Sequence, residues 1–212
     1  MDFSQKGFER LKTLPEGFNS AVLGFIFGLW FVGIRNVFPW NLDWLNGKGD
    51  GSYDQLTFEF FRKSPLIQWP VTAMPNYVTG SEQVLGSGNG LFAIPAKVIG
   101  QFIPGEFQYL GVWVVLCFCL QGFFAEKLLS RITDDKGLRF VAAMSFVVSP
   151  VLIYRIGEMR HFQLGAHWLI LSSFYLYFDK SYRRHRWALL LLVSVLINVY
   201  ITAMVVVIFM AA

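Results

Sequence analysis

The chain has 212 residues, of which 55 % are apolar and 15 % are charged. This balance is typical of a protein whose surroundings are mostly lipid, and it argues against an ordinary water-soluble domain. The formal net charge of +4 does not indicate nucleic-acid binding, because the basic residues fall into a few short clusters. The composition therefore predicts an integral membrane protein, with a lipid bilayer and no nucleic acid among its partners.

Long apolar segments give the predicted architecture. A membrane-spanning helix needs about 20 apolar residues, and five segments meet or nearly meet this length: 18–38, 107–128, 138–155, 162–179 and 187–212. The predicted fold class is all-α, a polytopic membrane helical bundle that forms a single domain over residues 1–212. The last segment ends without a flanking charge, so we expect the chain to be the N-terminal part of a longer protein.

A sixth apolar stretch, 91–103, is too short for an ordinary span and contains Pro95 and Lys97. It is predicted to be a re-entrant or interfacial segment. In that position Lys97 would keep its ammonium group near the lipid headgroups or water.

Basic residues predict the orientation of the chain. Because positive loops stay in the cytoplasm, three clusters place the N-terminus in the cytoplasm of a cell whose inner (plasma) membrane holds the protein. Residues 39–106 then form a long outer loop. A six-span alternative would place the basic loop after residue 127 outside. The clusters are Lys6, Arg10 and Lys12; Lys127, Arg131, Lys136 and Arg139; and Lys180, Arg183, Arg184 and Arg186.

Cys117 and Cys119 lie two residues apart in an apolar run. On a helix they point to different faces, which makes a disulfide between them implausible. They are predicted to be small apolar side chains without a redox or metal-binding role.

Near the start of the outer loop, Asp50 lies among three glycines. These glycines allow a sharp turn and close approach of a ligand. A helix is predicted over 53–62, with Asp50 or Ser52 as its N-cap. Asp50 and Asp54 would then share a helix face, where they could hold a divalent cation or supply a base. Simple capping and solvation is the alternative reading.

Further along this loop, Arg62 and Lys63 could bind a lipid phosphate or make ordinary headgroup contacts. The stretch over 64–77 is rich in proline, tryptophan and tyrosine. It is expected to lie along the membrane surface, with amphipathic surface helices in the loop.

The second outer loop is dense in ionisable residues, which usually face a cavity or a partner when they lie at a membrane span. Glu158 and His161 share a face at a spacing of three, whereas the spacing of six between His161 and His167 is poor for a metal site. Snorkelling side chains and a buried His167 would be the structural alternative. The cluster is Arg155, Glu158, Arg160, His161 and, farther in, His167.

These features together resemble the GT-C superfamily of membrane glycosyltransferases, which use polyprenyl-phosphate sugars. Residues 49–53 fit the acidic motif of the first outer loop, 91–95 with Lys97 fit the surface segment, and 126–131 fit the basic end of the second span. More narrowly, the stretches 107–111, 120–124 and 167–171 resemble an uncharacterised bacterial family of GT-C-like membrane proteins.

The resemblance implies transfer of a sugar from a polyprenyl-phosphate donor to an acceptor on the outer face of the cell envelope. Asp50 would be the base or would bind a divalent metal (Mg or Mn), and Asp54 would be the alternative candidate for this role. Glu158 would be the second acidic residue of the site and a second ligand of the metal. The implied substrate-binding residues are Arg62, Arg155, Arg160, His161 and His167.

Two other functions stay open on the sequence alone. A non-enzymatic transporter or flippase-like protein for lipid-linked glycans would use the same arginines and aromatic residues, and ion conduction is a third reading. The observation that separates them is whether the Asp50 side chain and the second outer loop meet in one outward-facing cavity, because separation by more than one substrate's width favours transport or scaffolding.

Overall fold

The computed structural model describes residues 15–47, 49–69, 73–77, 81–84, 89–179, 181 and 183–212. This part of the chain is mostly helical. Its helices are α1 (Phe18–Val32), α2 (Ile34–Val37), α3 (Gly51–Lys63), α4 (Gly90–Gly100), α5 (Leu110–Leu129), α6 (Lys136–Val147), α7 (Pro150–Gly157), α8 (Trp168–Tyr177), α9 (Arg184–Ile197) and α10 (Val199–Met210), with 3₁₀ turns at Asp43–Leu45 and Phe162–Gly165.

A strand pair interrupts this helical architecture. β1 (Ala73–Tyr77) and β2 (Ser81–Val84) form an antiparallel hairpin with Ala73 opposite Val84. The all-α prediction is therefore right for the bundle and wrong for this segment. β1 contains Pro75, and proline is tolerated there because both strands of a two-stranded sheet are edges. Side-chain contacts of residues 70–88 lie outside the described part of the chain.

Two helical stretches in the described residues are long and apolar enough to cross a bilayer: Leu110–Leu129, and Lys136–Gly157 with an interruption before Pro150. They match the predicted spans 107–128 and 138–155. The helices α1, α4 and α10 are apolar but shorter.

The centre of the bundle is the antiparallel pair of α1 and α5, whose backbones lie in direct contact. A Cβ on Gly24 would meet the carbonyl of Phe118, and one on Gly122 would meet the carbonyl of Ser20. Such small residues let helices approach closely and gain dispersion energy where lipid provides no hydrophobic drive. Phe27 packs edge-on against Phe118 at 5.2 Å between ring centroids. The predicted span 18–38 therefore forms helix, although it breaks at Gly33 between α1 and α2.

Lys97 was predicted to keep its ammonium group near the lipid headgroups or water, and this prediction is wrong. The residue is only 3 % exposed, and its Nζ donates hydrogen bonds to Ser64 Oγ at 2.7 Å and Pro65 O at 2.8 Å. The ammonium also lies 4.3 Å from the ring centroid of Phe61. Burial lowers the pKa of Lys97. The lysine thus ties α4 to the end of α3, and α4, at 11 residues, is too short to cross a bilayer, as predicted for 91–103.

The prediction of one span over 187–212 is wrong, because the chain reverses at Asn198. Asn198 is extended between α9 and α10, and its side chain caps α10 by accepting hydrogen bonds from the backbone of Tyr200 and Ile201. The rings of Trp187 and Phe209, at opposite ends of the segment, lie 5.3 Å apart. A continuous helix would separate them by about 33 Å. Residues 184–210 therefore form a helical hairpin.

The predicted span 162–179 also differs from a continuous helix. Its first residues form the 3₁₀ turn Phe162–Gly165, and α8 supplies only 10 helical residues. The turn is held inside the bundle by Trp113, whose indole Nε1 donates to Phe162 O at 2.8 Å. The chain between α7 and α8 therefore enters the bundle before it becomes helical.

Candidate functional site

The two predicted outer loops meet at Asp50 and His161. Asp50 Oδ2 lies 3.1 Å from His161 Nε2, and the two side chains are 59 % and 30 % exposed respectively. Asp50 occupies the N-cap position of α3, but its side chain makes no capping hydrogen bond. The carboxylate is therefore directed across to the second loop rather than back onto its own helix.

Backbone geometry on both sides holds this contact. The amide of Asp50 donates to Met159 O at 3.2 Å. Gly49 has φ +71, and a Cβ there would lie 2.5 Å from Met159 O, so glycine is required by both conformation and space. Arg160 also has a positive φ, of 54°, and its guanidinium Nη1 donates to Trp44 O at 2.6 Å. Arg160 thus fastens the two loops together instead of facing a ligand.

Asp54 lies one helical turn beyond Asp50 in a different environment. It is only 5 % exposed, and its Oδ2 makes no hydrogen bond with the described atoms. Burial raises the pKa of Asp54 to about 7, the polar side chain of Gln163 lowers it, and the charge of Asp50 raises it further. A carboxyl group in this position exchanges its proton near neutral pH.

A groove of about 710 Å³ opens beside His161. Arg155 and His161 supply its charged or titratable groups, and Tyr154 and Tyr200 add aromatic walls. Arg155 is partly exposed and forms no ion pair with a described residue. The remaining lining is apolar, from Pro150, Val151, Met159 and Leu164. The groove can therefore hold a molecule with one anionic group and an apolar part.

Arg62 does not reach this site. Its guanidinium pairs with Glu59 at 3.1 Å, donates to Gly105 O at 2.8 Å and lies 4.9 Å from the ring centroid of Phe107. Arg62 is near the end of α3, about 18 Å along the helix from Asp50. These contacts give Arg62 a structural role in joining α3 to the segment before α5.

Glu158 and His167 also lie apart from the Asp50–His161 contact. Glu158 is exposed at the end of α7 and does not line the groove, while His167 lines a separate cavity with Gln121 and Ser149. Among the described residues, no group of three or more His, Cys, Asp or Glu side chains is placed to hold a metal ion.

Two residues at the site were not predicted from the sequence. Gln163 lies beside Asp54, and a polar residue in an otherwise apolar stretch was the available signal. Tyr200 lines the groove only because the chain reverses at Asn198. No local pattern pointed to it.

Comparison with known proteins places the chain in a family. The family described as "Domain of unknown function (DUF6311)" matches residues 21–212, so the chain belongs to it. No curated protein and no solved structure matches the chain.

Proposed function

We propose that this member of the family is a membrane glycosyltransferase that moves a sugar from a polyprenyl-phosphate donor to an extracytoplasmic acceptor. The observation that carries the proposal is the contact between Asp50 and His161 at the edge of the groove lined by Arg155. A carboxylate, an imidazole and a guanidinium at one place are the groups that such a transfer needs.

His161 is the group that takes the proton. Of the contacting pair, only His161 lines the groove. With Nε2–H donating to Asp50, the imidazole Nδ1 is left unprotonated and able to accept the proton of an acceptor hydroxyl. The acceptor oxygen then bonds to the anomeric carbon. Asp50 orients the ring and stabilises the imidazolium that forms, by the logic of a histidine–aspartate pair.

Arg155 binds the leaving group. As the bond from the anomeric carbon to the donor phosphate breaks, its electron pair leaves with the polyprenyl phosphate, and a guanidinium neutralises the charge of that phosphate. The apolar walls of the groove, including Leu164 and Val151, offer a surface to the prenyl chain. Asp54, buried behind Asp50, exchanges its proton with the site near neutral pH.

The proposal also includes a membrane orientation. Lys127, Arg131 and Arg186 gather at the end of the bundle opposite Asp50, where Arg131 and Arg186 both pair with Asp179. We place this basic end in the cytoplasm and the groove at the outer face of the inner membrane, as the positive-inside rule favours. The protein is then multi-pass with a cytoplasmic N-terminus.

A transporter or flippase for lipid-linked glycans is the competing function. Transport needs no proton acceptor held beside the groove. Asp50 does not itself line the groove, but it contacts His161, which does, and this contact supports the enzyme. The experiment tests transfer and transport directly.

The experiment uses membranes from cells that produce the full-length protein, with membranes lacking it as the control. Polyprenyl-phosphate hexoses and pentoses carrying ¹⁴C in the sugar are the probes. The proposal predicts protein-dependent release of unglycosylated polyprenyl phosphate and movement of label to another acceptor. Protein-dependent movement of intact labelled lipid across sealed vesicles, without loss of its sugar, would establish transport instead.

A further inference from the structure

A second groove lies at the basic end of the bundle, between α5, α8 and α9. Its volume is about 400 Å³, within the range of sites that hold small molecules. Lys127 and Arg186 line its polar end. This second groove is separate from the Asp50–His161 site. It shares no lining residue with the groove that His161 lines.

The cations at this groove outnumber the carboxylates that contact them. Arg131 and Arg186 both approach Asp179, at 3.6 Å and 3.5 Å. Lys127 forms no ion pair within the described part of the chain, and its Nζ lies 5.8 Å from the ring centroids of Phe123 and Tyr175. One carboxylate therefore serves two arginines, and the lysine is left able to bind an anion.

The rest of the groove is apolar. The rings of Phe124 and Trp168 stack at 5.7 Å between centroids, and Leu189, Leu190 and Val193 line the groove from α9. Leu189 is exposed, so this wall is open to whatever surrounds the bundle. A cationic end joined to a long apolar surface is complementary in charge and shape to a phospholipid with an anionic headgroup.

We infer that this groove binds an anionic phospholipid, with the phosphate at Lys127 and Arg186 and an acyl chain along Leu189 and Val193. The same basic residues that favour the cytoplasmic leaflet would thereby hold one lipid molecule in a defined place. The site does not depend on the transferase proposal, because it uses different residues at the other end of the bundle.

The test measures lipid retention by the purified full chain in detergent, by native mass spectrometry. Phosphatidylglycerol and phosphatidylcholine with the same acyl chains are the probes. We expect phosphatidylglycerol to be retained preferentially. Lys127→Gln should weaken its retention about fivefold, the effect of one basic residue at an anionic surface. Lys136→Gln is the control, since it removes the same charge from an exposed lysine that lies outside the groove.

Leu189→Trp provides a second variant that changes no charge. A larger ring there should obstruct the acyl chain and lower phosphatidylglycerol retention. Size-exclusion profiles check that each variant folds. Equal retention by Lys127→Gln and Lys136→Gln, or equal retention of the two lipids by the unmodified protein, would overturn the inference. Displacement of phosphatidylglycerol by millimolar inorganic phosphate would show a phosphate site without a lipid and would overturn it as well.

Discussion

Asp50 and Asp54 are one helical turn apart, yet they lie in opposite environments. Asp50 is largely exposed and contacts His161, whereas Asp54 is buried with a raised pKa. A carboxyl group whose pKa is raised by burial is a common feature of acid–base sites. Under the proposed mechanism the two residues have different roles: Asp50 supports the histidine, and Asp54 holds a proton that it can release.

The raised pKa of Asp54 predicts a specific pH dependence of stability. Burial keeps the pKa of Asp54 at about 7 in the folded protein, against 3.8 for the same carboxyl group when it is exposed in the unfolded chain. Only the unfolded state ionises between these values, so stability is full below about pH 4 and falls as the pH rises to about 7. The decline is on the order of 4 kcal/mol.

Asp54→Asn removes this titration and should flatten that part of the profile. Thermal unfolding in detergent at several pH values between 4.5 and 7.5 measures it. Asp43→Asn, at an exposed residue, is the control and should keep the slope of the unmodified protein. Parallel profiles for Asp54→Asn and the unmodified protein would contradict the burial of an uncharged Asp54.

Several site residues could be predicted from the sequence, and others could not. The glycines around Asp50 and the ionisable cluster around His161 are local signals that pointed to candidate site residues. The positive clusters predicted that both loops lie on the same side of the membrane. The ion pair of Arg62 with Glu59 and the use of Arg160 to fasten Trp44 depend on tertiary contacts that no spacing rule contains. For this reason Arg62 and Arg160, which were predicted to bind substrate, have structural roles instead.

The contact between α1 and α5 includes glycines at which the two backbones lie very close. At Gly24 the backbone of α1 touches that of α5, so any side chain must push the helices apart. We predict that Gly24→Ala lowers the thermal unfolding midpoint in detergent by several degrees. Gly137→Ala is the matched control, because a Cβ there would have its nearest neighbour, Asp135 Oδ1, at 3.4 Å. Equal midpoints for the two variants would contradict the close packing of α1 on α5.

Hydropathy found the helical elements but not the reversal between α9 and α10. Both arms of this hairpin are apolar, so residues 187–212 look like one span, and Asn198 alone gave little sign of a turn. The helix predicted over 53–62, by contrast, is observed as Gly51–Lys63, because turn glycines and an N-cap mark its start. Elements with local end signals were predictable, and the reversal without one was not.

The hairpin can be tested by cross-linking. Cysteines at Trp187 and Phe209, in a protein with Cys117 and Cys119 replaced, should be joined by a short bifunctional thiol reagent, because the native rings are 5.3 Å apart. The pair Trp187 and Ile197, at the two ends of α9, is the control and should stay unlinked at about 15 Å. A continuous helix would give no link for either pair.

At the scale of the whole molecule, the bundle has a basic end and an end that carries the Asp50–His161 site. The basic residues of 127–139 and 183–186 lie toward one end, whereas the predicted cluster of Lys6, Arg10 and Lys12 lies outside the described residues. The orientation that the positive-inside rule gives to this basic end stays a prediction. The secondary structure within the apolar segments was less predictable. Short helices, a 3₁₀ turn and a hairpin share the apolar segments, and their arrangement comes from packing against α5.

Accessibility of single cysteines tests the orientation. In intact cells, cysteines at Lys136 and Arg184 should resist a membrane-impermeant thiol reagent, and a cysteine at Glu106 should react with it. All three native side chains are exposed on the bundle, so protection would come from the membrane and not from burial. Reaction at Lys136 or Arg184 would contradict a cytoplasmic basic end.

The central claim is that Asp50, through His161, takes part in sugar transfer, and Asp50→Asn tests it most directly. The variant keeps the size of the side chain but loses the charge that stabilises an imidazolium. The fold should survive, since a contact of a carboxylate that is 59 % exposed contributes little stability.

Transfer of ¹⁴C-labelled sugar from polyprenyl phosphate by the full-length protein in membranes is the measurement, with expression level recorded alongside. Asp43→Asn is the matched control, because Asp43 is an exposed aspartate of the same loop that makes no contact with His161. The account predicts a loss on the order of 10²-fold in Asp50→Asn and normal transfer in Asp43→Asn. Full transfer by Asp50→Asn at normal expression would contradict it.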